Sequence, residues 1–352
     1  MSRAARVSDV ARLAGVSIGT VSNVLNNPGV VAEATRRRVH DAIAQLQYVP
    51  NANARSLASG SSDTIGLIVP DLHNTVFVDV ARGAQDAAAE QGATLLIASS
   101  SSDLAVQDRY LDLFDENRVR GILLAPMSDS SEGIRRVRAH GRPVVLLNYR
   151  DTEADCCTVL VDNELDGQLA VEHLVARGIR DIVFLAGPER LQPIRDRRVG
   201  VRRAVLAAGV ALEEIELGGI QPDEGRDAVR AGIDGWRRHG RRIGLVASTD
   251  LLALGAVRAL WSARVSVPEE VAVVGCDGNR MAWESPVPFT TVETPGVAMG
   301  REAVRLLLAE PTGRAARGAD GSDASDAESA HRHETVLIPP TLTPKESTRA
   351  LD

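Results

Sequence analysis

Residues 7–26 read VSDVARLAGVSIGTVSNVLN, and this stretch decides how the amino-terminal part of the chain folds. Gly15 lies between two short apolar runs, where a tight turn favours a residue that tolerates positive φ. Ser17 can cap the second run as a helix through its hydroxyl. The apolar residues at helical spacing are Val7, Val10, Ala11 and Ala14, then Val21, Val24 and Leu25. The pattern predicts a helix-turn-helix, whose second helix enters the DNA major groove; an αα-hairpin in a larger core is the alternative.

A third helix is predicted over residues 35–46, with Val39, Ile43 and Leu46 facing inward. Its first residues include Arg36, Arg37 and Arg38, which can reach backbone phosphates or form a solvated face. On the second helix, the side chains suited to phosphate contacts are the hydroxyls of Ser17, Thr20 and Ser22.

The net charge of −7 is divided unevenly along the chain. Residues 1–62 contain seven arginines and three acidic residues, giving +4, so the remainder carries −11. Positive charge is therefore concentrated in the part that is predicted to meet phosphate.

The segment after the third helix is predicted to be a conditional helix. Pro50 ends the preceding structure, and Asn51 can cap a helix over residues 52–59. A helix of that length is not stable alone in water, so we expect it to form only against a partner or DNA.

Two motifs in this region closely resemble the headpiece of the LacI family of bacterial transcription regulators. They are AGVSIGTVSNVLN at residues 14–26, and YVPN running into NANARSL at residues 48–57. The resemblance implies that Ile18, Gly19 and Asn23 face base edges. It also implies that the hinge helices of two subunits pair in the minor groove, where Leu57 wedges between base pairs; a linker residue packed on the following domain is the alternative. The full predicted DNA-binding set is Ser17, Ile18, Gly19, Thr20, Ser22, Asn23, Asn51, Arg55 and Leu57.

From Asp63 onward, short apolar runs alternate with amphipathic helical stretches. The predicted strands are 64–69, 93–98, 121–125, 143–148, 157–161, 181–186, 244–248 and 271–275. Strand and helix alternating in this way predict parallel sheets, and their number predicts two doubly wound lobes. The fold class is thus α/β, an all-α headpiece followed by what the resemblance identifies as a two-lobed periplasmic-binding-protein-like domain. The predicted parts are the headpiece (1–49), the hinge (50–62) and the effector-binding and dimerisation domain (63–352).

Ligands of open α/β sheets bind beyond the carboxyl ends of the strands, and this rule selects the loops of a predicted effector site. The resemblance implies that Arg197 and Asp277 are the principal ligand contacts and that Val76 and Phe77 wall the pocket. The full predicted set is Asp71, Val76, Phe77, Asn148, Arg197, Ile220, Thr249 and Asp277. A structural ion pair is the alternative for Arg197 and Asp277, and a helix cap is the alternative for Asp250.

An arginine facing an aspartate across a cleft suits a polyhydroxylated ligand, because charged donors and acceptors bond strongly to hydroxyls. A sugar is the first expectation. Val76 and Ile220 stand where the family often has aromatic residues, so a nucleoside or another small metabolite stays open.

Composition excludes several other classes of protein and site. No run approaches a membrane span, and the chain begins without an apolar signal region, so we expect a cytoplasmic, nucleoid-associated protein. We expect Cys156, Cys157 and Cys276 to be buried and free, and we predict neither a metal nor a cofactor. Residues 310–333 are predicted to be a disordered loop, in which His331 and His333 are exposed to solvent.

The sequence therefore predicts a repressor that binds a pseudo-palindromic DNA operator as a homodimer and responds to a small effector. No heptad tail follows the last motif, which favours a dimer over a coiled-coil tetramer. The alternatives are an enzyme and a solute-binding protein on the same body fold. The chain shows no phosphate-cradling glycine loop or nucleophile elbow, and its headpiece argues against a solute-binding protein.

Overall fold

The computed structural model describes residues 5–49, 62–151, 156–285, 287–310 and 331–350, with the backbone alone at position 239. The chain divides into two compact units between Ser62 and Asp63. Every helix in these ranges is too short or too polar to cross a bilayer.

Unit 1 contains three α-helices around a small apolar core. Its helices are α1 (Val7–Ala14), α2 (Ile18–Asn26) and α3 (Glu33–Leu46), with a 3-10 turn at Pro28–Val30. Gly15 adopts φ 64°, as the predicted turn requires, and the Ser17 hydroxyl accepts a hydrogen bond from the Thr20 amide at 3.1 Å. The core residues are Val10, Ala11, Ala14, Val21, Val24, Val39 and Ala42. α3 begins two residues before its predicted start, because Glu33 suits the positive end of the helix dipole.

Unit 2 contains two six-stranded sheets covered by helices. Its strands are β1 (Thr64–Val69), β2 (Thr94–Ser99), β3 (Gly121–Leu124), β4 (Val144–Leu147), β5 (Thr158–Val161), β6 (Asp181–Ala186), β7 (Ala211–Glu216), β8 (Ile243–Ala247), β9 (Val271–Asp277), β10 (Thr290–Glu293), β11 (Thr335–Ile338) and β12 (Thr341–Thr343). Its helices are α4 (Thr75–Glu90), α5 (Leu104–Glu116), α6 (Ser131–Ala139), α7 (Asn163–Ala176), α8 (Gln192–Ala208), α9 (Pro222–His239), α10 (Asp250–Ser262), α11 (Met281–Glu284) and α12 (Gly296–Ala309).

Each sheet forms the centre of one lobe. Lobe 1 has the strand order β11-β5-β4-β3-β1-β2, and lobe 2 has the order β12-β10-β9-β8-β6-β7. All pairings between neighbouring strands are parallel except that of β10 with β12. The chain passes between the lobes after β5, after β10 and after β11. The predicted fold class is confirmed.

Four strands lie outside the predicted set: β7, β10, β11 and β12. β11 and β12 are short and form by pairing with β5 and β10, which lie far away in the sequence. β7 is an edge strand that reads ALEEIE, so its three glutamates hide the apolar alternation. β10 has only four residues, and its burial depends on its neighbours β9 and β12 rather than on its own composition.

The two described ends of the predicted loop 310–333 pack on lobe 1. Glu310 follows α12 and is buried, and its Oε2 lies 3.2 Å from Nη1 of Arg138. His331 and His333 are partly buried beside Cys157, so the prediction that they are exposed is wrong. They are held there because the adjoining strand β11 pairs with β5. Residues 311–330 lie outside the described part of the chain.

Candidate functional site

The amino-terminal half of α2 presents an exposed face in unit 1. Ile18 is 52% exposed, and Gly19 and Asn23 are exposed as well. An aliphatic side chain left in water at a helix start is available for contact with a partner surface.

The hydroxyls next to this face already have local partners. Ser17 Oγ and Thr20 Oγ1 lie 2.9 Å apart, and Ser22 Oγ accepts a hydrogen bond from Asn26 Nδ2 at 3.1 Å. A phosphate oxygen bound here would share these hydroxyls with the helix cap and with Asn26.

Glu33 holds two of the arginines at the start of α3. Arg36 forms an ion pair with its carboxylate, and Arg37 Nε lies 3.3 Å from it. The hydrogen bond and charge of Arg36 lower the pKa of Glu33, so the carboxylate stays ionised. Arg36 and Arg37 would have to release Glu33 before they could bind a phosphate. Arg38 is exposed and is not among the partners of Glu33.

The predicted hinge contacts Asn51, Arg55 and Leu57 lie outside the described residues. Their assignment to DNA stays a prediction.

In unit 2, Arg197 is the centre of a buried ionic cluster. Its side chain is 2% exposed, and its Nε lies 2.8 Å from Asp166 Oδ2. Its Nη1 lies 2.8 Å from Asp277 Oδ1 and donates to the Ser248 carbonyl at 2.7 Å. These contacts run through Nε and Nη1 of the guanidinium.

The charges in this cluster depend on one another. Burial raises the pKa of Asp166 to about 6, and Arg197 opposes the shift. Burial likewise raises the pKa of Asp277, again against Arg197. Burial alone would lower the pKa of Arg197, but the two carboxylates raise it above its ordinary value. The positive charge of Arg197 thus offsets the desolvation of two buried carboxylates.

The two lobes meet directly next to this cluster. Asn74 Nδ2 donates to Asp277 Oδ2 at 3.3 Å. Thr75 donates to Asn279 Oδ1 from its amide at 2.6 Å and from its hydroxyl at 2.8 Å, and it accepts from the Arg280 amide at 3.2 Å. We call these contacts the interlobe latch.

Asp250 fixes the lobe 2 side of the latch. Its carboxylate accepts hydrogen bonds from the Asn279 amide at 2.6 Å and from Thr291 Oγ1 at 2.8 Å. Burial raises the pKa of Asp250 well above its usual range. The neighbouring Thr249 caps α10 by accepting from the Leu252 amide at 3.3 Å. Asp250 therefore positions the loop that carries Asn279, and the helix cap considered for Asp250 is Thr249 instead.

A second contact between the lobes borders a small cavity. Gln192 Oε1 accepts from the Arg150 amide at 2.5 Å, and Gln192 Nε2 donates to the Arg150 carbonyl at 3.0 Å. The cavity has a volume of about 110 Å³, well below the roughly 300 Å³ of the smallest usual ligand pockets. It is lined by Asn148, Arg150, Leu160, Val161, Asn163, Gln192, Arg195 and Asp196. The lobes are thus in a closed arrangement.

The structure brings some predicted effector residues together and leaves others apart. Arg197 and Asp277 form a buried ion pair within lobe 2, as the alternative interpretation had it, and do not face each other across the cleft. Thr249 follows Ser248, whose carbonyl accepts from Arg197. Asn148 lines the cavity and accepts a hydrogen bond from Asn163 Nδ2 at 2.9 Å.

The remaining predicted residues have other surroundings. Val76 belongs to the core of lobe 1, and Phe77 packs against that core. Asp71 accepts a hydrogen bond from the His73 amide at 2.9 Å, and Ile220 lies against Gly187. Of the predicted effector residues, the structure thus groups Arg197 and Asp277 with Thr249 and leaves Val76 and Phe77 at the core of lobe 1.

Sequence reasoning missed four residues of this region. Asp166, Thr75, Asn279 and Gln192 each lie in the first helical turn or loop after a strand. Thr75 and Gln192 lie within the loops that the carboxyl-end rule selects after β1 and β6, although neither was predicted as a contact. Asp166 and Asn279 would have been reached had the rule been extended one helical turn beyond each strand.

Comparison with known proteins decides what these two units are. A family model described as bacterial regulatory proteins, lacI family, matches residues 6–51, and one described as periplasmic binding protein-like domain matches residues 171–348. The chain is 33% identical over 308 residues to the HTH-type transcriptional regulator RegA of Clostridium saccharobutylicum, covering 87% of this chain and 92% of RegA. The chain belongs to the LacI family of bacterial regulatory proteins.

Other relatives of this LacI-family regulator agree with that assignment. It is 31% identical over 309 residues to the ribose operon repressor of Escherichia coli, covering 86% of this chain and 92% of the relative. Its fold resembles that of the lac repressor dimer bound to operator and the anti-inducer ONPF, with a TM-score of 0.80 and 24% identity over 99% of this chain and 100% of that one.

Family membership sets the general function of this LacI-family regulator. It is a DNA-binding transcriptional regulator, with a helix-turn-helix unit and a periplasmic-binding-protein-like unit that fits control by a small molecule. The family consists of regulators, so the alternative of an enzyme is set aside.

Proposed function

We propose that this regulator is a repressor that binds a pseudo-palindromic operator as a homodimer and is controlled by a polyhydroxylated small molecule bound between its lobes. It would therefore act at the nucleoid. The observation that carries the proposal is the buried Arg197 cluster beside the interlobe latch, because a ligand that reaches it contacts both lobes at once.

Arg197 is the ligand contact that the cluster favours most. Its guanidinium contacts Asp166, Asp277 and the Ser248 carbonyl through Nε and Nη1, and we propose that Nη2 donates to a ligand hydroxyl. Asp277 lies against both Arg197 and Asn74, and it can accept from a second hydroxyl. Charged groups of both signs favour a sugar or polyol over an apolar ligand. We also keep four further proposed ligand contacts, which are Asp71, Asn148, Ile220 and Thr249. Val76 and Phe77 would support them from the core of lobe 1.

The exposed face of α2 is the proposed reader of the operator. Asn23 can bond bidentately to adenine, and Ile18 can contact a thymine methyl. So few base contacts give one unit little specificity, and two units on a pseudo-palindrome are needed. The lac repressor dimer bound to operator, among the similar structures, supports this arrangement.

The test combines operator selection with effector screening on the full-length protein. Duplexes selected from a random library should contain a two-fold repeat. Sugars and polyols that raise the melting temperature should change the affinity for the selected duplex roughly 5–150-fold. Asn23→Ala should lower operator affinity about 5- to 150-fold, the cost of losing one bidentate pair, while Gln45→Ala on the exposed face of α3 should not.

Two results would contradict the proposal. One is a selected duplex without any repeat, which argues against a dimer. The other is a stabilising ligand that works equally well on Arg197→Met, after that variant is shown to be folded, which places the ligand elsewhere.

A further inference from the structure

Four metal-ligating side chains converge in lobe 1, away from the interlobe cleft. Cys157 precedes β5, His331 and His333 precede β11, and Glu310 follows α12. One ligand atom from each of the four lies within 4.8 Å of every other. Cys157 is at the amino end of β5 and Val161, which lines the cavity, at its carboxyl end; at ~3.3 Å per residue they are about 13 Å apart.

The separations match those around a tetrahedral metal ion. Cys157 Sγ lies 3.3 Å from His331 Nε2 and 3.8 Å from His333 Nδ1, and His333 Nδ1 lies 3.6 Å from Glu310 Oε1. Zinc bonds of about 2.3 Å to sulfur and about 2.0 Å to nitrogen or oxygen hold tetrahedral ligands about 3.5 Å apart. Small shifts of these side chains would therefore close them around one ion.

The surroundings of the cluster are those of a built site. The Cys157 side chain is fully buried, and the Glu310 side chain is 4% exposed. The Glu334 amide donates to Cys157 Sγ at 3.4 Å, and the Cys157 amide donates to Glu310 Oε1 at 3.4 Å. His331 and His333 are partly exposed, which leaves a route from solvent.

Arg138 competes with a cation for this cluster. Its Nη1 lies 3.2 Å from Glu310 Oε2, and its Nη2 lies 3.3 Å from His333 Nε2. Ligation through Nδ1 would place the imidazole proton on Nε2, facing Arg138, so the arginine must turn away when an ion binds. Its side chain is 25% exposed and can move toward solvent.

We propose that Cys157, Glu310, His331 and His333 form a binding site for a divalent transition metal of the zinc class. The ion would accept electron pairs from one thiolate, two neutral imidazoles and one carboxylate, and the thiol proton would leave to water. The two anionic ligands balance the charge of the ion. The bound metal would join β11 and the end of α12 to β5.

The full-length protein, freed of metal with a chelator, is titrated with Zn²⁺ and separately with Co²⁺. We expect one ion per chain, a rise in melting temperature with Zn²⁺, and a near-ultraviolet thiolate charge-transfer band with Co²⁺. Cys157→Ser should abolish the band. His331→Ala, at a partly exposed position, should weaken Zn²⁺ binding at least about 100-fold, no less than loss of an outer-shell partner.

Matched variants separate this site from others on the chain. Cys156→Ser removes the adjacent buried thiol, which is outside the cluster, and should keep both the band and the affinity. Arg138→Gln should tighten binding, because the competing cation is gone. The proposal is overturned by a wild-type protein that binds no stoichiometric metal, or by binding that survives Cys157→Ser and His331→Ala unchanged.

Discussion

At the scale of single residues, the buried Arg197 matters most to unit 2. A buried ion pair gains little over well-packed apolar residues, but removal of one partner leaves the other charge desolvated and unpaired. Here one guanidinium serves two buried carboxylates, Asp166 and Asp277. Loss of Arg197 would therefore leave both carboxylates desolvated and without their cation, whatever its role toward a ligand.

Arg197→Met should lower the free energy of unfolding by about 3–5 kcal/mol. The control is Arg202→Met, because Arg202 lies on the same helix, pairs with Glu214 and is 57% exposed. That variant should lose at most about 1 kcal/mol. Urea denaturation followed by circular dichroism measures both. A loss below 1 kcal/mol for Arg197→Met would show that the carboxylates do not depend on it.

At the scale of elements, three pairs of helices cross through reciprocal glycines. In each pair, a Cβ added to a glycine of either helix would lie within 2.1 Å of a carbonyl oxygen on the other. The pairs are α4 with α12 through Gly83 and Gly300, α7 with α8 through Gly167 and Gly200, and α9 with α10 through Gly225 and Gly255. The backbones pack directly against each other there, so the helices cannot accept even a methyl group without moving apart.

Gly200→Ala should destabilise unit 2 by about 3 kcal/mol or more, because the new Cβ would lie 1.9 Å from the Glu164 carbonyl oxygen. Gly235→Ala is the matched control within α9, since nothing lies within 4 Å of its added Cβ. That change should stabilise the protein by about 0.5–1 kcal/mol. Thermal unfolding of the two variants decides the matter, and equal melting temperatures would mean that the helices separate at little cost.

At the scale of the whole molecule, the two units differ in where they place their charged groups. Unit 1 exposes a helix face and carries positive charge, whereas unit 2 buries charge within lobe 2, next to the contact with lobe 1. Within unit 2, the interlobe latch and the Arg150–Gln192 pair favour closure without a ligand's help. A ligand that binds both lobes has only to shift an equilibrium that the latch already biases.

Asn279→Ala should open the lobes more often, because it removes the acceptor of two hydrogen bonds from Thr75. The amide of Thr75 should then exchange its hydrogen faster, as measured by mass spectrometry of peptides from the start of α4. Asn117→Ala is the control, because within the described ranges its side-chain amide bonds to the carbonyl of Leu113 in the preceding helix and to no residue of lobe 2. Unchanged exchange at Thr75 would show that these hydrogen bonds do not hold the lobes together.

The sequence by itself determined the helix-turn-helix and the alternation of strands and helices. Both depend on periodicities of two to four residues. In the helix-turn-helix, Gly15 also marks the turn and Ser17 the cap of the second helix. Tertiary structure alone decided the sites, because their partners are remote along the chain. Asn74 and Asp277 are 203 positions apart, and Cys157 and His331 are 174 apart. Charge and ligand chemistry depend on which side chains burial brings into contact, and only the packing of the two sheets and their crossing helices sets that.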